Sequence, residues 1–241
     1  MIQIKRLCQL LLLSLCSSWV IAEDISIHLK WYHKFQFAGY YAAQQQGYFT
    51  DEGYDVSLIE GGPHTNHLHQ LINGSSEYAV LGSEAIISLA LGSPVIIVAS
   101  IFQHAPEIVM TLESSKAESI SALKDKPLML ANNYISGQIA AMLLKNGITS
   151  KDYQKSSYDG DVNRLVNGSV FAMYGYISNE PYQLQQLGHN VDIFRPQDYG
   201  INFYGDNLAT TQNELDNHPK RVAAMRRAVI RGWNYALEHP E

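Results

Sequence analysis

The chain has little cysteine and no long apolar run beyond its first residues. Its two cysteines, Cys8 and Cys16, both lie near the start, where Lys5 and Arg6 precede an apolar run from Leu7 to Leu15 and then Val20-Ile21-Ala22. A charged start, an apolar stretch too short for a comfortable bilayer span and a small residue at the cut mark a secretory signal peptide over residues 1–22, cleaved after Ala22. The mature chain would then hold no cysteine, which excludes disulfides and cysteine-based metal or redox chemistry. No later stretch is apolar enough to span a bilayer; the run from Pro94 to Phe102 is far too short. The expected location is the periplasm or another extracytoplasmic space.

Positive charge is also scarce. Loss of residues 1–22 leaves 15 basic against 23 acidic residues, a net of −8, which speaks against nucleic acid or anionic lipid as a partner. The nucleophile elbow Gly-x-Ser-x-Gly and the phosphate P-loop are both absent. His64, His67 and His69 crowd together, but their spacing makes a poor helical ligand set. They read as surface histidines, and no metal site or catalytic residue stands out.

What is present is a repeated unit. Leu71-Ile72-Asn73-Gly74-Ser75 leads into Tyr78-Ala79-Val80-Leu81-Gly82 and then Ser83-Glu84; 94 residues on, Leu165-Val166-Asn167-Gly168-Ser169 leads into Phe171-Ala172-Met173-Tyr174-Gly175 and then Ser178-Asn179-Glu180. Each copy reads as a helix end, a glycine turn, a buried strand and a carboxylate past the strand's C-terminal end. Ligands of open α/β sheets bind outside those ends. Two such units would face each other across a cleft, with a glutamate on each side.

The rest of the chain alternates strand and helix. Strands are expected at Asp24–Lys30, Tyr54–Ile59, Pro94–Ser100, Glu107–Leu112, Pro127–Leu130 and Val191–Phe194. Helices are expected at Phe37–Gly47, Thr65–Ile72, Glu84–Leu91, Gly137–Asn146, Tyr182–Leu187 and Pro219–Leu237, the last with Pro219 in its first turn. The alternation predicts an α/β fold with mostly parallel sheets. Nothing like a finished domain follows the final helix, so the expectation is a truncated chain or the front part of a longer one.

Four places carry candidate ligand contacts. The loop from Trp31 to Tyr41 is unusually aromatic, and Trp31 and Tyr40 are the candidates to stack on a flat ring. Glu180 can pair with an amidine-like edge or fill the first turn of a helix capped by Asn179. Glu84 carries the same two readings, with Ser83 as cap. The segment Asn132 to Gly137, with Asn133 and Tyr134, precedes a helix and either presents N–H groups to a polar ligand or is a plain cap.

Leu29-Lys30-Trp31, Ala38-Gly39-Tyr40-Tyr41-Ala42-Ala43, Gly47-Tyr48-Phe49, Asn179-Glu180-Pro181, the run from Tyr199 to Asp206 and Asn217-His218-Pro219 together resemble the thiamine-pyrimidine family of the type II periplasmic binding fold. The resemblance covers nearly the whole mature chain. It implies two α/β lobes around a ligand cleft, lobe 1 from residues 24–105 and 199–241 and lobe 2 from 107–195. It implies a solute-binding protein that closes on a thiamine pyrimidine precursor and is read by an ABC permease or a fused membrane signalling module. The family also holds sulfonate and nitrate binders, which glutamates at both lobe edges disfavour. It holds as well a thiamine pyrimidine synthase that consumes its own histidine with pyridoxal phosphate, a lysine, iron and a cysteine motif. The segment from Val80 to Ser88, which matches that enzyme's lysine and histidine, has neither residue.

Overall fold

The computed structural model describes residues 22–131 and 136–240. The signal-peptide expectation, apart from Ala22, lies outside the described residues, as do Asn133 and Tyr134.

The chain first lays down β1 (Glu23–His28), α1 (Ala38–Gln45), α2 (Tyr48–Asp51), β2 (Tyr54–Ile59), α3 (His67–Ile72), β3 (Tyr78–Leu81), α4 (Glu84–Ala90) and β4 (Val95–Phe102). It crosses over and builds β5 (Glu107–Leu112), β6 (Pro127–Leu130), α5 (Gly137–Lys145), β7 (Gln154–Ser157), α6 (Asn163–Val166), β8 (Ala172–Tyr176), α7 (Glu180–Gln186) and β9 (Val191–Phe194). It then returns for β10 (Gly205–Thr211), α8 (Gln212–Asn217) and α9 (Pro219–Glu238). The first sheet has the order β2-β1-β3-β10-β4 and the second β7-β6-β8-β5-β9.

Each sheet is mostly parallel, four of its five strands running one way, with a single antiparallel strand inside it. β1 pairs in parallel with β2 and β3, and β6 with β7 and β8, whereas β10 and β5 run antiparallel to both their neighbours. β10 enters its sheet straight from the return crossing, and β5 leaves the outward crossing the same way, so neither has the helical crossover that a parallel neighbour requires. The two crossings lie side by side: Ala105 N donates to Phe203 O at 2.8 Å and Gln197 Nε2 to Ala105 O at 2.9 Å. A side chain at Gly205 would run into the Ala105 backbone.

Each sheet is covered on both faces. In lobe 1, Ile25, Ile27 and Val56 meet Tyr40, Phe37 and the Met225, Ala228 and Val229 face of α9; Leu68, Leu71 and Ala85 pack on the other side. α1 and α9 touch at glycines, since a Cβ at Gly39 would strike the Trp233 ring and one at Gly232 the Gly39 carbonyl. In lobe 2, Ile139, Met142 and Leu143 of α5 cover one face and Leu165 and Leu184 the other. Among the described residues no helix is long and apolar enough to cross a membrane.

Candidate functional site

A cavity of about 220 Å³ lies between the lobes. Lobe 1 contributes Lys30 and Trp31 from just past β1, His67 from α3 and Glu84 from α4; lobe 2 contributes Tyr158 after β7, Tyr174 and Tyr176 of β8 and Glu180 of α7. Both copies of the repeat deliver their glutamate here, as the first residue of the helix after the strand.

The floor is charged and buried, with Lys30, Glu107 and Asp206 all nearly inaccessible. Lys30 Nζ donates to Tyr176 Oη at 2.6 Å and lies 3.5 Å from Asp206 Oδ1 and 3.9 Å from Glu107 Oε1. The Tyr176 hydroxyl donates to Asp206 Oδ1 at 3.3 Å. Burial pulls the Lys30 ammonium down, but Asp206, Glu84 and Glu107 outweigh it, so the lysine is held charged. One ammonium does not neutralise three carboxylates: burial raises Glu84, and it pushes Glu107 up to about 7.

In the cavity wall Trp31 of one lobe packs directly on Tyr158 of the other, ring centroids 5.8 Å apart and planes tilted by 36°. Tyr158 is held from behind, because its hydroxyl donates to Glu180 Oε1 at 2.7 Å. Glu180 also accepts from Asn179 Nδ2 at 2.6 Å and from the Tyr176 amide at 2.6 Å. Asn179 therefore makes no side-chain cap of α7; it braces Glu180 instead. Lys34 sits over the Trp31 ring at 5.7 Å.

Glu84 differs from Glu180 in its partners. Its Oε1 accepts from the Gly82 amide at 2.8 Å, while Oε2 is buried without a partner. Ser83 does not cap α4. Its Oγ accepts the Gly137 amide at 2.9 Å and so joins α5 of the other lobe.

Two expectations need correction. Tyr40 does not reach the cavity: it is fully buried in the lobe 1 core between Phe37 and Trp233, with centroids 6.5 and 6.2 Å away. The loop's aromatics divide between cleft and core, and α1 turns Tyr40 toward α9. His67 is not a surface residue, although His64 and His69 are exposed. Asn66 caps α3 by accepting the His69 amide at 3.0 Å, which turns His67, Leu68 and Leu71 inward. Trp31, Glu84 and Glu180 do meet at the cavity. Lys30, Tyr158 and Tyr176 were not anticipated; Tyr158 follows a polar edge strand that carries no hydrophobic alternation. Among the described residues no three His, Cys, Asp or Glu side chains are grouped to hold a metal ion.

Two mixed α/β lobes, a double crossing and a cavity between them define the class, a two-lobed binding protein of the type II periplasmic fold. The chain belongs to the NMT1/THI5-like family, which matches residues 34–241. It is 26% identical to the formylaminopyrimidine-binding protein of Halalkalibacterium halodurans over 99% of this chain and 75% of that one. It is 22% identical to the riboflavin-binding protein RibY of Chloroflexus aurantiacus over 91% of this chain and 64% of that one. Its fold is similar to the periplasmic aliphatic sulphonate binding protein SsuA of Escherichia coli, with a TM-score of 0.71 at 16% identity, covering 90% of this chain and 75% of that chain.

Proposed function

We propose that the protein is an extracytoplasmic solute-binding protein that captures a small aminopyrimidine, a precursor of the thiamine pyrimidine, by closing its lobes around it. The observation that carries this reading is the Trp31–Tyr158 pair, one ring from each lobe, beside buried carboxylates on both walls. At 5.8 Å the two rings already touch each other, so a flat ring stacks on the cavity-facing side of the pair, gaining about 0.5–1.5 kcal/mol per aromatic contact beyond its buried area. An amino group or protonated ring nitrogen suits the excess negative charge. Because such a ligand touches both lobes, it favours their closed arrangement. Delivery to an ABC permease, or to a membrane signalling module, is the partner role this reading implies.

The alternatives fit the side chains less well. A sulfonate or nitrate would meet Glu84 and Glu180 with like charge. The synthase reading needs a lysine for pyridoxal phosphate, and the cavity offers Lys30. That ammonium is held charged by carboxylates, which suits neither Schiff-base chemistry nor a nearby phosphate.

Thermal unfolding with a panel of aminopyrimidines, pyridoxal phosphate and alkanesulfonates tests the reading. A ligand at 100 times its Kd adds about 2.7 kcal/mol. Stabilisation by an aminopyrimidine alone is expected. Stabilisation only by pyridoxal phosphate or only by a sulfonate would overturn the assignment.

A further inference from the structure

Charged groups of both lobes meet around one buried lysine. Lobe 1 supplies Lys30, Glu84 of α4 and Asp206 of β10; lobe 2 supplies Glu107 at the start of β5 and Tyr176 of β8. Lys30 is 7% exposed, and none of the three carboxylates more than 4%. The bare backbone of Gly82 shows how closely they meet. A Cβ there would lie 2.8 Å from Lys30 Nζ, 2.8 Å from Glu84 Oε2 and 3.4 Å from Glu107 Oε1.

Neighbouring donors do not make up the missing positive charge. Glu107 Oε2 accepts from Gln138 Nε2 at 2.9 Å and from the Ser136 hydroxyl at 3.4 Å. Asp206 accepts from Gln36 Nε2 at 2.7 Å as well as from Tyr176. Glu84 Oε2 is buried without a partner. Tyr174 and Tyr176, beside Glu107, keep their protons, because burial holds both hydroxyls above the usual phenol range. His67, near Lys30, is neutral, since burial and then the Lys30 ammonium hold its imidazole down at about 4. One ammonium therefore faces three carboxylates, and buried carboxylates that crowd one place resist being ionised together.

We propose that closing the lobes takes up a proton, shared between Glu84 of lobe 1 and Glu107 of lobe 2, so that acid favours the closed protein. Only the lobe motion is needed, not the ligand, so this proposal and the aminopyrimidine reading stand or fall separately. Opening parts Glu107 from Lys30, Glu84 and Asp206 and admits water, which returns its carboxyl to the ordinary range. Closing reverses this. Burial is the largest influence on both glutamates: it raises Glu84 and pushes Glu107 up to about 7. A proton on Glu84 Oε2 neutralises the oxygen that no donor reaches; one on Glu107 relieves the same crowding, so the two titrate as a pair. A pair that holds its proton more tightly closed than open makes closing weakest above pH ~7 and stronger as pH falls. For one proton the closing constant grows by up to about tenfold between pH 8 and pH 6.

The test uses the protein without ligand. Fluorescent labels at His64→Cys and Ser178→Cys stand at exposed positions; His64 lines the cavity from lobe 1, and Ser178 precedes Asn179, which lines it from lobe 2. Cys8→Ser and Cys16→Ser leave no other thiol. Energy transfer between the labels should rise as pH falls from 8 to 6, following a single proton. Glu107→Gln, which mimics the protonated carboxyl, should hold transfer near its acid-side level and flatten the pH dependence. Glu84→Gln removes one of the crowded charges and should move the rise to lower pH. Transfer that is the same at pH 8 and pH 6 in the labelled protein overturns the proposal. A rise of unchanged size and midpoint in both variants overturns it too, because the proton then sits on another group.

Discussion

Ser83 of lobe 1 accepts the Gly137 amide of lobe 2 at 2.9 Å, so a side chain from one lobe meets the first residue of a helix in the other. Ser136, the residue before α5, makes no side-chain cap of that helix; its hydroxyl is 3.4 Å from Glu107. Gly137 also lets Ile87 of α4 approach, because a Cβ there would collide with the isoleucine side chain. Ser83 and Gly137 thus make one contact between the lobes, beside those of Lys30 with Tyr176 and Trp31 with Tyr158.

Gly137→Ala makes only the Ile87 Cδ1 methyl turn away, the other neighbours staying at ordinary contact, so ligand affinity should change by less than about threefold, roughly 0.6 kcal/mol. Ser83→Ala should lower affinity by about 0.5–1.5 kcal/mol. Calorimetric titration together with solution scattering of the bound form checks both.

Tyr158 offers a way to separate stacking from bracing. Tyr158→Phe keeps the ring and loses the 2.7 Å bond to Glu180, so affinity should fall by about 1 kcal/mol. Tyr158→Ala removes the ring and should cost about 2 kcal/mol or more, with Trp31→Ala comparable. In the double alanine variant the losses should fall short of additive, because both rings contact one ligand.

The stability of lobe 1 rests partly on a buried pair. Arg221 of α9 donates to Glu214 of α8 through Nε at 2.6 Å and Nη2 at 2.5 Å, and it also pairs with Glu23. The Tyr78 hydroxyl donates to Glu214 Oε1 at 3.1 Å. Arg221→Leu leaves Glu214 buried with no cation and should cost about 3–5 kcal/mol in denaturant unfolding.

Two buried groups should give stability opposite slopes with pH. The native His67 imidazole titrates at about 4, so between pH ~6.5 and ~4 the unfolded chain binds a proton that the folded one refuses. Stability is fully present above that window and is lost as pH falls, by up to about 3 kcal/mol. Glu107, raised to about 7, keeps a proton in the folded state that the unfolded chain gives up above its ordinary range. Its contribution declines as pH rises toward 7. Denaturant unfolding at pH 4.5, 6 and 8 should show the acid-side fall reduced in His67→Phe and the neutral-side fall reduced in Glu107→Gln.

The repeated unit was legible because it is written in local chemistry. Gly74 and Gly168 both take φ +77°, a conformation glycine adopts readily. Asn73 and Asn167 each accept the amide and hydroxyl of the serine two residues on. β10 was not legible as a strand: Asp206, Asn207 and Thr210 are polar yet buried. Their partners lie far away in sequence, as when Thr210 donates to Glu77 O. Lys30 was hidden for the same reason, since the charges that hold it come from Glu107 and Asp206. Tyr40 and Trp31 stand in the same aromatic loop, and Tyr40 goes to the core against Trp233 of α9, 193 residues on, while Trp31 stays at the cleft.

The most direct test of the account is calorimetric titration of the protein with 4-amino-5-hydroxymethyl-2-methylpyrimidine, repeated on Trp31→Ala and Tyr158→Ala. The account predicts saturable one-to-one binding that is strongly weakened in each variant. Full-strength binding in both variants, or no binding by the unaltered protein while an alkanesulfonate binds, would contradict it.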